Sequence, residues 1–253
     1  VNFEFTGIAR KGDPLCSIPP LFMTLIATTA IIGAAFLGEA TFGFAGGMIS
    51  IPLLTLILGV KDAVTVVLIF QLLMGFLLIP CWEEVDAVSS RKAALGVLGG
   101  TILGTILLGV IASAPLKLLL LSVIIGYLLK ELLAPSVKLS AVSGQSAGMI
   151  GGISGGFLQG IVGMGGPPLL IYLNELGLPK QSFRATIILL LFVSNVARLP
   201  LSLYTGLVSE TVIRVVMFGL PVFVLVICLG QWLHGLVSER LYRISVLCVL
   251  AAS

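Results

Sequence analysis

The stretch Gly163-Met164-Gly165-Gly166-Pro167-Pro168 interrupts a long apolar run. Its counterpart, Gly43-Phe44-Ala45-Gly46-Gly47 with Pro52 behind it, starts 120 residues earlier. Glycine frees the backbone for tight turns, and proline in a helix's first turn loses no hydrogen bond. Each stretch therefore reads as the end of one helix and the start of a shorter one. Inside a bilayer such a break bares backbone N–H and C=O groups where no water can satisfy them. It persists only where it lines a cavity or is buried in protein. Two breaks at corresponding places in two halves point to a transporter's substrate site.

The surroundings support a bilayer. The 253 residues are 58% hydrophobic and 10% charged, with mean hydropathy +1.20. A soluble domain carries roughly 25% charged residues. Apolar segments run at about 21–38, 64–82, 93–112, 116–133, 144–163, 185–205, 210–233 and 241–253, with shorter ones at 47–58 and 167–177. Several exceed the ~18 residues that a spanning helix needs. The chain reads as an all-α polytopic membrane protein of about 8–10 transmembrane segments, in the cell inner membrane.

Its organisation follows from the breaks. A polar N-terminal segment, 1–20, precedes a first transmembrane repeat, 21–133, a linker, 134–143, and a second repeat, 144–253. Each repeat runs long helix, glycine break, short helix, then further long helices. If the short segments complete crossings, Arg91, Lys92, Lys130, Lys138, Lys180, Arg184, Arg240 and Arg243 share one side. That fits the enrichment of cytoplasmic loops in Lys and Arg. If the short segments return to their own side, the charges split evenly. The first arrangement makes the repeats inverted, with both termini outside. Val1 is not an initiator methionine and the last apolar segment stops at Ser253, so native residues are expected beyond both ends.

Two further glycine patterns concern packing. Gly144, Gly148, Gly152, Gly156 and Gly160 recur every four residues, as do Gly96, Gly100 and Gly104. Small residues at this spacing let helix backbones approach closely in lipid. Packing within the chain is the plain reading; a moving interface or a homodimer is the alternative.

Several function classes drop out. The net charge is +3 and there is no basic tract, which argues against nucleic acid. Cys16, Cys81, Cys228 and Cys248 are scattered, and with one histidine no metal set or other cofactor is expected. No Gly-x-x-x-x-Gly-Lys-Ser/Thr string offers an ATP site. Gly152-Ile153-Ser154-Gly155 matches the short serine string of rhomboid-type proteases, with His234 as the one available base. That chemistry needs the hydroxyl within hydrogen-bond reach of the imidazole. His234 lies beside Trp232 at a helix end, an interface position. No catalytic residue is assigned, and the chain is not expected to be an enzyme.

The candidate substrate-binding residues are those that can meet an anion. A half-helix that starts after a glycine turn offers free N–H groups and a positive dipole end. Gly43, Gly46 and Gly47 belong to the first break, and Gly163, Gly165, Gly166 and Pro168 to the second. A sharp bend between packed helices is the alternative for both. Arg198 lies deep in an apolar segment, where a guanidinium usually faces a pathway or a partner. Asn195 shares its helical face. Snorkelling of Arg198 to the interface is the alternative. Gln71 and Gln159 can donate amide N–H groups to an anion, or bond a neighbouring helix instead. Glu39, just before the first break, is a candidate for proton coupling, or else an interfacial or ion-paired acid. Arg184 is a cytoplasmic anchor or a gating residue. Glu83, Glu84, Asp86, Arg91 and Lys92 read as a solvated loop.

These motifs resemble the sulfite exporter TauE/SafE family. The resemblance rests on Gly43-Phe-Ala-Gly-Gly47 with Pro52-Leu-Leu, and more strongly on Gly155-Gly-Phe-Leu-Gln-Gly160-Ile-Val-Gly163-Met-Gly-Gly-Pro-Pro168-Leu. Phe183-Arg184-Ala-Thr186 and Asn195-Val-Ala-Arg198 extend it, over about 22–235. It implies transport of small sulfur-containing anions such as sulfite and organosulfonates, without fixing the cargo. Ala45 stands where a third glycine is common, so the second break is expected to hold an anion more tightly than the first. The expected activity is secondary transport by alternating access, driven by the proton gradient or the anion's own. The partners are a small anion and the lipid bilayer. A passive anion channel and a scaffold without cargo are the other readings.

Overall fold

The computed structural model describes residues 20–111, 145–238 and 241–242, with single positions 118 and 122. The polar start, the linker 134–143 and nearly all of segments 116–133 and 241–253 lie outside them, as do Lys130, Lys138, Arg240 and Arg243. The described residues form eight α-helices and no strand. These are α1 (Pro20–Phe42), α2 (Ala45–Leu58), α3 (Val60–Leu77), α4 (Ala87–Val110), α5 (Gln145–Val162), α6 (Gly166–Glu175), α7 (Lys180–Tyr204) and α8 (Glu210–Leu236). Within them, Phe22–Phe42, Val60–Leu77, Ser90–Val110, Lys180–Tyr204 and Glu210–Leu236 are long and apolar enough to cross a membrane.

Local chemistry sets the ends. α1 stops where Gly43 turns to φ 98°, its N–H bonding the Glu39 carbonyl at 2.6 Å. α5 stops where Gly163 turns to φ 73°, its N–H bonding the Gln159 carbonyl at 3.0 Å. A left-handed residue after a helix is the usual place for glycine, since a Cβ there is strained. Pro167 and Pro168 fall in the first turn of α6. The apolar run 64–82 does not continue as one helix. α3 ends at Leu77 and a 3₁₀ turn, Ile79–Glu84, follows with Pro80 in its first two positions. Conversely, α4 and α7 begin before their apolar segments and take in Arg91, Lys92 and Arg184.

The glycine stripes pair with each other. A methyl group on Gly96, Gly100 or Gly104 of α4 would strike backbone atoms of α5, and one on Gly152, Gly156 or Gly160 would strike backbone atoms of α4. This is packing within the chain. Gly148 instead faces the Tyr172 ring of α6, and Gly144 lies outside the described residues. Phe36, Phe70 and Phe223 lock α1, α3 and α8, with ring centroids 4.8–5.8 Å apart. Leu56, Val110, Leu225 and Trp232 point outward. Such a surface suits acyl chains rather than water.

Gly156→Val should destabilise the fold by about 1–3 kcal/mol, because the α5 backbone cannot retreat from α4. Gly99→Ala is the control, since its added methyl meets nothing within 4 Å. Thermal unfolding in detergent reads both: a lowered Tm for the first and an unchanged Tm for the second.

Candidate functional site

Four polar side chains from four helices meet where the two breaks abut. Glu39 comes from the last turn of α1, Gln71 from α3, Gln159 from the last turn of α5 and Asn195 from α7. All four are buried, Asn195 completely. Glu39 and Gln159 stand 120 residues apart, and Gln71 and Asn195 stand 124 apart. Each pair occupies matching places around its own break. Arg198, one turn beyond Asn195, has Met74 as its counterpart at the same spacing of 124.

The hydrogen bonds run in one direction. Gly165 N–H donates to Gln159 Oε1 at 2.7 Å. Only an oxygen can accept there, so Gln159 Nε2 faces the other way and donates to Gln71 Oε1 at 2.7 Å and Asn195 Oδ1 at 3.4 Å. Asn195 Nδ2 donates to its own helix at the Leu191 carbonyl, 2.9 Å, and to Gln71 Oε1 at 3.0 Å. Gln71 Nε2 then donates to both Glu39 oxygens, at 3.1 and 3.4 Å. An amide nitrogen has two N–H donors; those of Gln159 and Asn195 each meet two acceptors, and the two contacts of Gln71 Nε2 share one N–H on a single carboxylate. The chain of donation therefore ends on the Glu39 carboxylate.

Glu39 also accepts from the backbone N–H groups of Gly46 and Gly47, in the first turn of α2. A methyl group on Gly46 would overlap the carboxylate. The start of α2, where a helix favours negative charge, thus carries an acid of the chain itself. Across from it, Gly47 faces the Gly163 carbonyl and Gly166 faces Phe44 and Met48, which brings the two breaks together.

Arg198 does not snorkel. It is 1% exposed, and Nη1 reaches Asn195 Oδ1 at 3.4 Å. Its Nε and Nη2 have no acceptor among the described residues. These two atoms form one edge of the guanidinium, the fork that grips two oxygens of an oxyanion.

Other expected residues lie beside this group. Gly43 makes the turn and faces Ile187 and Arg184 rather than the four polar side chains. The Pro168 carbonyl packs toward Gly151 of α5. Arg184 is buried rather than anchored at a surface, and Nη2 donates to the Ala40 carbonyl. His234 Nδ1 lies 2.8 Å from the Thr41 carbonyl and Tyr242 Oη donates to the Phe42 carbonyl at 2.7 Å. Three consecutive carbonyls at the open end of α1 are so capped. Ser154 bonds back to Ile150 of its own helix at 2.8 Å, so Ser154 and His234 serve different partners.

The profile of the sulfite exporter TauE/SafE family matches residues 25–253. The chain belongs to that family. Among curated relatives, a "Probable sulfite/organosulfonate exporter TauE" from Cupriavidus necator is 29% identical over 218 residues, 83% of this chain and 84% of that protein. No solved structure matches. This TauE/SafE protein is a multi-pass membrane transporter and not an enzyme.

His234 and Tyr242 escaped the sequence reading as partners of α1, because a backbone carbonyl has no sequence signature. The signal that was available is the break itself: a helix ending inside the protein leaves carbonyls that some donor must reach.

Gln71→Leu should lower Tm markedly. It strips the side-chain donor from Glu39 and the shared acceptor from Gln159 and Asn195, at about 1–3 kcal/mol for each buried group left unmet. Differential scanning fluorimetry in detergent measures it.

Proposed function

We propose that this protein is a secondary transporter of sulfite or organosulfonate anions in the cell inner membrane. The anion is held where the two breaks abut. The observation that carries this reading is the buried Nε–Nη2 fork of Arg198, which has no acceptor among the described residues while Nη1 holds Asn195. Sulfite and sulfonate groups present several oxygens on one sulfur, and such a fork binds two of them. Asn195 positions the guanidinium. Gln71, Gln159 and the turn of Gly163, Gly165 and Gly166 line the other side. At the first break the amides of Gly46 and Gly47 serve Glu39. The second break, next to Arg198, is therefore the tighter anion contact.

Two repeats of opposite orientation, 21–133 and 144–253, would give each break access from one side in turn. The same order of long, short and long helix, α1–α2–α3 and α5–α6–α7, supports this division. So does the matched spacing of Glu39 with Gln159 and of Gln71 with Asn195. Arg184 holds the end of α1 from α7, and that bond supports a gating role between the repeats.

Arg198→Ala in proteoliposomes should abolish isethionate and sulfite flux while expression and monodispersity persist. Wild-type flux in that variant removes the arginine from the site. Saturation and counter-flow with the wild type identify a carrier; linear flux without counter-flow identifies a channel. A thermal-shift series with sulfite, thiosulfate, taurine, isethionate and sulfoacetate ranks the cargo, since a ligand bound only to the folded state raises Tm.

A further inference from the structure

The direction of the hydrogen bonds around Gln71 has a consequence for coupling. Gln159 Nε2 and Asn195 Nδ2 each donate twice and share Gln71 Oε1 as an acceptor, while Gln71 Nε2 faces the Glu39 carboxylate. An anion arriving at Arg198 finds the guanidinium fork, while the Gln159 and Asn195 amides are turned to Gln71 Oε1. It also brings a second negative charge into a buried region that already holds the Glu39 carboxylate. We propose that a proton on Glu39 and the transported anion bind together, with the Gln71 amide as the reversible link between them. This rests on the anion site proposed above and adds the coupling ion to it.

The switch works by polarity. A protonated carboxyl carries an O–H donor, which a carboxylate lacks. Its natural acceptor is the Gln71 amide, whose side-chain oxygen then turns toward Glu39. Gln71 Nε2 consequently turns toward Gln159 Nε2 and Asn195 Nδ2. Gln159 Nε2 and Asn195 Nδ2 then lose Gln71 Oε1 as their shared acceptor and face a third amide nitrogen, in the group that Arg198 joins through Nη1. Unmet donors in a buried site are unfavourable, and an oxyanion supplies what they need. The same proton neutralises Glu39 and weakens its hold on the start of α2. Linkage makes the effect reciprocal: the proton raises anion affinity, and the anion raises proton affinity.

Other charged groups are placed differently. α2 has none, and neither does α5. Glu175 ends α6, and Lys61 and Asp62 lie in the first turn of α3, over two turns from Gln71. On α8, Glu210 pairs with Arg214 at the helix start. His234, Arg184 and Tyr242 meet backbone carbonyls of the last turn of α1, not the Glu39 carboxylate. Lys180 donates to the carbonyls of His234 and Val237. Of these groups, His234 is the one that titrates near neutral pH in ordinary surroundings.

Isethionate is the probe, because its sulfonate stays ionised across the range. Its Kd should fall by up to about tenfold for each unit drop in pH, the limit for one linked proton. Glu39→Gln, which imitates the neutral acid, should bind isethionate with a pH-independent Kd near the low-pH wild-type value. Should that variant fail to fold, adding isethionate to weakly buffered wild-type protein still reads the proton: an indicator dye should report uptake of up to one proton per anion bound. A flat wild-type Kd without proton uptake overturns the coupling and leaves the anion site standing. A dependence that survives Glu39→Gln transfers the proton to His234 and also overturns it. No isethionate or sulfite binding at any pH, in either protein, overturns the anion site and the coupling with it.

Discussion

The oxygen of one amide, Gln71 Oε1, is where the structure is tied together. It accepts from α5 through Gln159 and from α7 through Asn195, while its own nitrogen holds α1 through Glu39. In water each of these groups would find a solvent partner. In the hydrocarbon region each must find a protein partner, and few arrangements satisfy four buried polar side chains at once. The helix breaks are possible because this group exists. The Gly165 amide freed by the second break bonds Gln159, and the Gly46 and Gly47 amides freed by the first bond Glu39.

The glycines are not interchangeable. Gly43 and Gly163 are required by positive φ. Gly46 is required by the carboxylate that lies where its Cβ would be. Gly100 and Gly156 are required by a neighbouring helix backbone. The first group shapes the breaks, the second admits an anion to a helix start, and the third holds α4 rigidly on α5. Close backbone packing is a main source of cohesion in lipid, where burial of apolar surface drives little. A firm α4–α5 pair gives Gln159 a fixed platform, so its amide stays aligned with Gln71.

Much of this group was visible in the sequence because polar residues are conspicuous in apolar helices. Glu39, Gln71, Gln159, Asn195 and Arg198 stand out on that ground, and the duplicated glycine breaks place them near one level. What could not be read is who satisfies whom. Gly46 and Gly47 look like open anion donors until Glu39 is seen to occupy them. Arg184 looks like an interfacial anchor because it neighbours Lys180, yet it turns inward to the end of α1. The two glycine stripes were plain, but any small face can pack on any other. Pairing between α4 and α5 is a tertiary choice, and periodicity carries no information on it. Helix ends moved for a related reason: charged residues such as Lys180 continue a helix once its carbonyl partners lie within reach.

The two break regions match in shape and differ in charge. Where the first has an acid, Glu39, the second has the neutral Gln159; where the first has Met74, the second has Arg198. A symmetric pair of acids or of arginines would leave a net buried charge, whose desolvation is costly without a partner. Glu39 and Arg198, linked through Gln71 and Asn195, offset each other's charge without touching. Direct contact between them would form an ion pair and consume the guanidinium fork. The intervening amides prevent that while keeping both groups in one hydrogen-bonded group. The separation thus preserves a cationic edge inside the membrane, and that edge is what a small oxyanion needs.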